Sequence, residues 1–168
     1  MTKQADSYRF ISRSTKRIMQ AWVKREPERQ VPWTALSKPL HECTIAFISS
    51  AAIALNDDKP FDQEGERRNP WWGDPSFRVI PQSATEADVS YYHLHSDPSF
   101  AEQDINCILP LRRLEEMQAN GEIGRCAPRH YSIMGYILDP QELLEDTTPQ
   151  IIRHLQEDGV DAVILIPV

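Results

Sequence analysis

Residues 141–168 constrain the fold more than any other stretch. Gln141 to Glu157 places Leu143, Leu144, Ile151, Ile152 and Leu155 at helical spacing, so the segment reads as an amphipathic helix that must lay that face on an apolar surface. Pro149 lies inside it and predicts a break near Thr147-Thr148, with Thr148 capping the second half. Gly159 closes the helix, and Asp161-Ala162-Val163-Ile164-Leu165-Ile166-Pro167-Val168 then reads as a strand buried on both faces. Cys43-Thr44-Ile45-Ala46-Phe47-Ile48 is a second continuous apolar run. Strands without alternation, one of them fed by an amphipathic helix, predict an α/β fold: a three-layer sandwich around a mainly parallel sheet.

The remaining segments fill in that frame. Residues 7–25 read as an N-terminal amphipathic helix, with Tyr8, Ile11, Ile18 and Trp22 near one face and Arg13, Lys16, Arg17, Lys24 and Arg25 on the others. Glu26-Pro27 ends it, and Pro27, Pro32 and Pro39 mark an extended connector. The division is thus a basic helix and Pro-rich connector over 1–40 and an α/β domain over 41–168. Residues 56–76 lack periodicity, yet Trp71-Trp72 argues for an ordered loop pinned by one of those rings. Phe77 to Ile80, Val89 to Leu94 and Tyr131 to Ile137 read as strands, and Leu111 to Asn120 as a short helix closed by Gly121.

Charge and composition narrow the function classes. The chain has 168 residues and a net charge of -7, with eight Lys/Arg against three Asp/Glu in residues 1–29. That leaves a basic helix on an acidic body, suited to self-docking or a subunit contact and poorly suited to nucleic acid. No apolar run reaches the ~18 residues that a membrane helix needs, and no secretion signal opens the chain. Three cysteines without metal spacing, Cys43, Cys107 and Cys126, fit a reduced, cytoplasmic protein. Gly-x-Gly-x-x-Gly, P-loop and Gly-x-Ser-x-Gly patterns are all missing, so no cofactor is evident.

Polar clusters supply the candidate chemistry. His93-x-His95-x-Asp97 alternates on an expected strand, so both imidazoles and the carboxylate can share a face and line a substrate pocket. The same three residues are the candidates for a metal, although the sequence nominates no further ligand. Ser49-Ser50 ends the first apolar strand, where a site in such a sheet is expected. Arg129 offers a planar fork for a carboxylate and His130 a general acid or base; pairing of Arg129 with a neighbouring acid is the structural alternative. Cys126, beside Arg125 and near Arg129, has two neighbouring cations that would favour its thiolate; an inert loop thiol is the structural alternative.

Several blocks then fall into one ordered series. They are Cys43-Thr44-Ile45-Ala46, Pro60-Phe61-Asp62, Gly73-Asp74-Pro75-Ser76-Phe77-Arg78-Val79-Ile80-Pro81, His95-Ser96-Asp97 and Asp104-Ile105-Asn106. Gly121-Glu122-Ile123-Gly124, Ala127-Pro128-Arg129-His130-Tyr131, Met134-Gly135-Tyr136 and Glu157-Asp158-Gly159-Val160-Asp161-Ala162-Val163 follow. Over about residues 40–168 this series resembles the glycine/sarcosine/betaine reductase selenoprotein B family, including the smaller D-proline reductase subunit. The resemblance implies reductive cleavage of a C–N bond in an amino acid or related amine. It implies a selenocysteine or cysteine redox centre after the strand that ends at Val168, partner reductase subunits (some bearing a pyruvoyl group) and a thiol reductant. Cys126 stands where relatives have an apolar residue and is not the implied nucleophile.

These readings leave the catalytic nucleophile beyond Val168, with His130 and Arg129 as candidate catalytic groups and His93, His95, Asp97, Ser49 and Ser50 as candidate substrate-binding groups. The expectation is a subunit, or the N-terminal part of one, truncated at its C-terminus and inactive alone. The alternatives are a non-catalytic binding or assembly subunit that docks through its basic helix, and a metal-binding protein using His93, His95 and Asp97.

Overall fold

A computed structural model describes residues 12–24, 34–69 and 72–168. The chain divides into two compact units, residues 1–35 and 36–168. In the first, helix α1 spans Arg13–Val23 and its N-terminus is capped by Ser12, whose Oγ accepts the Thr15 amide at 3.1 Å. The expected start near residue 7 lies outside the described residues. Ile18, Met19 and Val23 are exposed within this unit.

The second unit is built on a mixed, mainly parallel sheet. Strand β1 (Thr44–Ser49) is central, and the paired runs β5 (Arg125–Cys126) and β6 (Arg129–Ile133) lie parallel along one of its edges. Strand β7 (Ala162–Ile166) lies parallel along the other, and β3 (Phe77–Pro81) adds antiparallel to β6. A separate antiparallel pair joins β2 (Ile53–Leu55) to β4 (Val89–Tyr91). The fold is therefore α/β, as its unalternating apolar runs require.

Alternation along the strands assigns the two faces. Ile45 and Phe47 of β1 pack with Ile80, Ile105, Leu109, Leu111 and Leu114 in the main core, which includes helix α3 (Leu111–Ala119). Each such side chain contributes roughly 1.5–3 kcal/mol by leaving water. Tyr131 of β6 and Phe77 of β3 meet the His154 ring of helix α4 (Thr148–Glu157) on the opposite face, at centroid distances of 6.2 and 5.9 Å. Helices thus lie on both faces of the sheet.

Three expectations change. Strand β7 is an edge strand: it pairs only with β1 among the described residues, and Leu165 is 71% exposed. Its apolar run is as hydrophobic as a central strand, but the described residues place nothing along its outer edge. Before α4 the chain forms a π-helical turn, Leu143–Thr147, and Thr148 makes no cap; its Oγ1 donates to the Leu143 carbonyl at 2.7 Å. Pro149, at the start of α4, has no N–H to give and its ring crowds the preceding turn, which widens instead of breaking. Ile151 alone of the five expected core residues in this segment is buried, while Leu144 and Ile152 are exposed.

The stretch 56–76 is also more regular than its sequence shows, since it contains helix α2 (Gln63–Arg68), capped by Asp62, whose side chain accepts the Gly65 amide. Trp71 lies outside the described residues, and the Trp72 ring packs against Gly65, where a Cβ would meet it at 2.5 Å. Polar anchors fix the rest. Buried Asp74 accepts the amides of Asp62 and Ser76, and buried Arg78 donates to the carbonyls of Lys59 and Pro60 while lying 4.2 Å from the Phe61 ring centroid. Gly73 allows a close chain crossing, because a Cβ there would fall 1.8 Å from the Tyr136 carbonyl oxygen.

Candidate functional site

The parallel strands β1, β6 and β7 finish side by side, and the residues just past them carry a polar cluster. Ser50 follows β1; its amide donates to the Ile166 carbonyl at 3.0 Å and its Oγ accepts the Val168 amide at 2.9 Å. The β7 chain is thereby tied to the end of β1. Gly135, two residues past β6, sits where a Cβ would lie 2.8 Å from Ser50 O, 2.9 Å from His93 Nε2 and 3.2 Å from Ser50 Oγ. Ser50 and His93 therefore converge on a glycine that leaves them room. Ala52 holds a left-handed backbone (φ 51°) as the chain turns out of β1 into β2, a conformation an alanine adopts only under constraint.

The two histidines of the cluster have different settings. His93 is buried, and its Nδ1 accepts the His95 amide at 3.1 Å. Burial, helped by the neighbouring His95, holds its pKa below the usual imidazole value, so it is neutral with the proton on Nε2. His95 has a half-exposed side chain, stands 4.4 Å from the Tyr136 ring centroid, and places Nε2 2.7 Å from Oε1 of Glu66. Glu66, on α2, is 3% exposed. Neither of its carboxylate oxygens holds a well-aligned hydrogen bond, and the His95 ring is the polar group that approaches it.

The other candidates lie elsewhere. Asp97 is exposed and turns back to accept the Ser99 amide at 3.0 Å, the hydrogen bond that lowers its pKa. Among the described residues no group of three or more His, Cys, Asp or Glu side chains is arranged to hold a metal ion. Ser49 is fully buried on the core face, donating to the Ile108 carbonyl at 2.7 Å, so Ser50 and Ser49 face different surroundings.

Arg129 and His130 stand at the opposite end of β6. Arg129 pairs bidentately with Asp158, through Nε at 2.7 Å and Nη2 at 2.9 Å, and with Glu157 at 3.1 Å, which raises its pKa further. His130 is fully buried: its Nδ1 accepts the Phe47 amide at 3.0 Å and its Nε2 lies 2.6 Å from Gln82 Oε1. Burial pushes its pKa down to about 4. Cys126 differs from the expectation of a favoured thiolate, because burial, with Glu115 nearby, raises its pKa. The two arginines are engaged at Asp158 instead.

A hollow of about 300 Å³ lined by Ile53, Val89, Tyr91, Ala101 and Ile108 adjoins this region, and Tyr91 bonds Ser96 through its hydroxyl. Glu86, Ser90 and Glu102 complete its lining. At the strand ends Ser50 and His93 border Gly135, with His95 and Glu66 close to each other beside them. Glu66 escaped sequence reasoning because 27 positions separate it from His93 and no motif links them; its one signal is a Glu on a short polar helix next to a tryptophan.

A model of the family described as glycine/sarcosine/betaine reductase selenoprotein B matches residues 19–167. The D-proline reductase subunit gamma of Acetoanaerobium sticklandii is 35% identical over 133 residues, covering 79% of this chain and 52% of the relative. The glycine reductase complex component B subunit gamma of Carboxydothermus hydrogenoformans is 29% identical, covering 81% of this chain and 30% of the relative. The betaine reductase complex component B subunit beta of Peptoclostridium acidaminophilum is likewise 29% identical, covering 76% and 28%. The chain thus spans about half of the first relative's length and less than a third of the other two. No solved structure matches it. On the ordered motifs, the α/β sheet and these matches, this chain belongs to the glycine/sarcosine/betaine reductase selenoprotein B family.

Proposed function

We propose that this chain is a subunit, or the N-terminal part of one, of a reductase complex that cleaves the C–N bond of an amino acid or related amine. The reaction site is read at the carboxyl ends of β1, β6 and β7. The observation that carries this reading is the tie between Val168 and Ser50. It holds the β7 chain at Ser50, which together with His93 borders Gly135, at the strand ends where open α/β sheets bind their ligands. A selenocysteine or cysteine following Val168 supplies the nucleophile, other subunits of the complex and a dithiol complete the cycle, and the 168-residue polypeptide alone turns over no substrate.

In this reading the residues of the cluster position and polarise. His93, neutral and buried, brings Nε2 up to Gly135, and Ser50, on the same glycine, fixes the chain at Val168. Sequencing the gene past the Val168 codon and weighing the protein from its native cells tests the proposal. A UGA codon followed by an open frame, with a mass above 19.3 kDa, is the expected result. An ordinary stop with a mass of 19.3 kDa overturns it and leaves a non-catalytic assembly subunit, for which the exposed Ile18, Met19 and Val23 of α1 offer a contact.

A further inference from the structure

Glu66 is a buried carboxylate that the fold itself does not use. Its helix α2 is six residues of Gln, Glu, Gly and Arg, and Glu66 is its single buried residue. It caps nothing among the described residues, and both oxygens are shielded from solvent without a well-aligned hydrogen bond. A charge left in that state is expensive unless something offsets it. The offsetting group is His95, whose Nε2 approaches Oε1 to 2.7 Å. Proximity alone selects one arrangement of the imidazole: a bare Nε2 lone pair 2.7 Å from a carboxylate oxygen would be repelled, so Nε2 keeps the proton although it is not aligned as a hydrogen bond, and Nδ1 is the nitrogen left to meet a ligand.

Two further contacts fix the ring. The His95 amide is held by His93 Nδ1 at 3.1 Å, and the ring rests against Tyr136. The side chain remains 51% exposed, so it is oriented from behind and open in front. His93 cannot share the role: it is buried and its Nδ1 is occupied.

We propose that Glu66 and His95 form a proton-carrying dyad at this site, in which Glu66 is a positioning residue and His95 Nδ1 passes a proton to the substrate carbon. This rests on the reductase reading above. The chemistry requires such a group for every amine of the class. Net cleavage of a C–N bond by a dithiol breaks that bond, returns two electrons to the fragments, converts the dithiol to a disulfide, and leaves the carbon with a new C–H bond. An ammonium nitrogen can depart without gaining a proton. The carbon cannot be left as a carbanion and takes one proton. His95 Nδ1, bare in the Nε2–H tautomer, first takes a proton from a dithiol S–H and then passes it to that carbon, returning to the neutral tautomer; the second thiol proton leaves with the solvent, so atoms and electrons balance with the dithiol as reductant.

The test has two arms. In the first, long-range ¹H–¹⁵N correlation spectra of the 168-residue chain at a pH where imidazoles are neutral report the tautomer of His95. The expected result is a single Nε2–H tautomer, converting to a mixture in Glu66→Gln while the amide spectrum of the sheet is retained. A mixed tautomer in the unmodified chain, or an unchanged one in Glu66→Gln, overturns the dyad. In the second arm the native complex is assayed with a dithiol and D-proline, glycine, sarcosine or betaine. His95→Ala is expected to lower kcat by at least ~100-fold with KM within about threefold, in the range of lost acid–base catalysis, and added imidazole to restore at least ~10-fold. An unchanged kcat, or a loss that imidazole does not repair, overturns the proton-carrying role. If the unmodified complex turns over none of the four amines, the reductase reading fails and the proton transfer with it. The tautomer result still decides whether Glu66 orients His95.

Discussion

Stability should fall as the solution is acidified from pH 7 to pH 5, and His130 should be the main reason. This imidazole is fully buried on the core side of β6, with Nδ1 already accepting the Phe47 amide and Nε2 against Gln82. Protonating Nδ1 would set a second N–H against a donor that needs an acceptor. Its folded pKa is about 4, against about 6.5 in an unfolded chain. The folded value is depressed, so between those limits the unfolded state binds the extra proton and stability is lost as pH falls. Integrated between pH 7 and pH 5, before most carboxylates titrate, the loss is about 2 kcal/mol, within a full span of about 3 kcal/mol. Buried His93, lowered by the same cause, acts in the same direction. Urea denaturation at the two pH values measures the drop, and His130→Gln should remove most of it while lowering stability at both. In parallel, the His130 ring protons should not titrate above pH 5. A wild-type drop that His130→Gln leaves intact would refute the reasoning.

Five further expectations follow from the packing. Gly73→Ala drives a Cβ into the Tyr136 carbonyl oxygen at 1.8 Å and should cost at least ~3 kcal/mol, read as a fall in Tm; Gly135→Ala, with 2.8 Å to Ser50 O, should cost about 1–2 kcal/mol and shift the His93 resonances. Arg78→Ala strands the Lys59 and Pro60 carbonyls and should cost about 2–4 kcal/mol by denaturant titration, with Arg78→Lys recovering less than half. Asp158→Asn, which breaks the bidentate pair with Arg129, should cost about 1–3 kcal/mol at pH 7. Iodoacetamide should label exposed Cys107 first, Cys126 slowly because burial raises its pKa, and buried Cys43 only on unfolding, as followed by peptide mass mapping.

Much of the frame is legible in the amino-acid sequence because it rests on apolar runs. Cys43 to Ile48 and Ala162 to Ile166 have no polar side to present, so both read as strands of a parallel sheet, and the amphipathic pattern after Gln141 reads as a helix. Hydrophobicity does not record neighbours, and that is where the expectations diverge: β7 is as apolar as β1 yet stands at the edge. Helix α2 is invisible to periodicity because its one buried residue is a glutamate. The site divides along the same line. The sequence names Ser50, His93 and His95, but the alternation expected to join the imidazoles does not hold, because β4 ends at Tyr91 and both lie beyond it. Separating Ser49 from Ser50 requires knowing which way β1 faces, and Arg129 and His130 look like neighbours in a pocket although alternation sends them to opposite faces of β6. Glu66 joins His95 only through the loop that Asp74 and Arg78 hold in place.

The central claim, that the reaction takes place at the ends of β1, β6 and β7, is tested most directly by mapping the reactive nucleophile. Reduced protein from native cells is alkylated with iodoacetate in the presence and absence of each of the four amines, and the modified residue is located by mass spectrometry. The account predicts one fast-reacting, substrate-protected selenocysteine or cysteine in the segment following Val168. Protection at Cys107 or Cys126 instead, or no protected nucleophile at all, would contradict it.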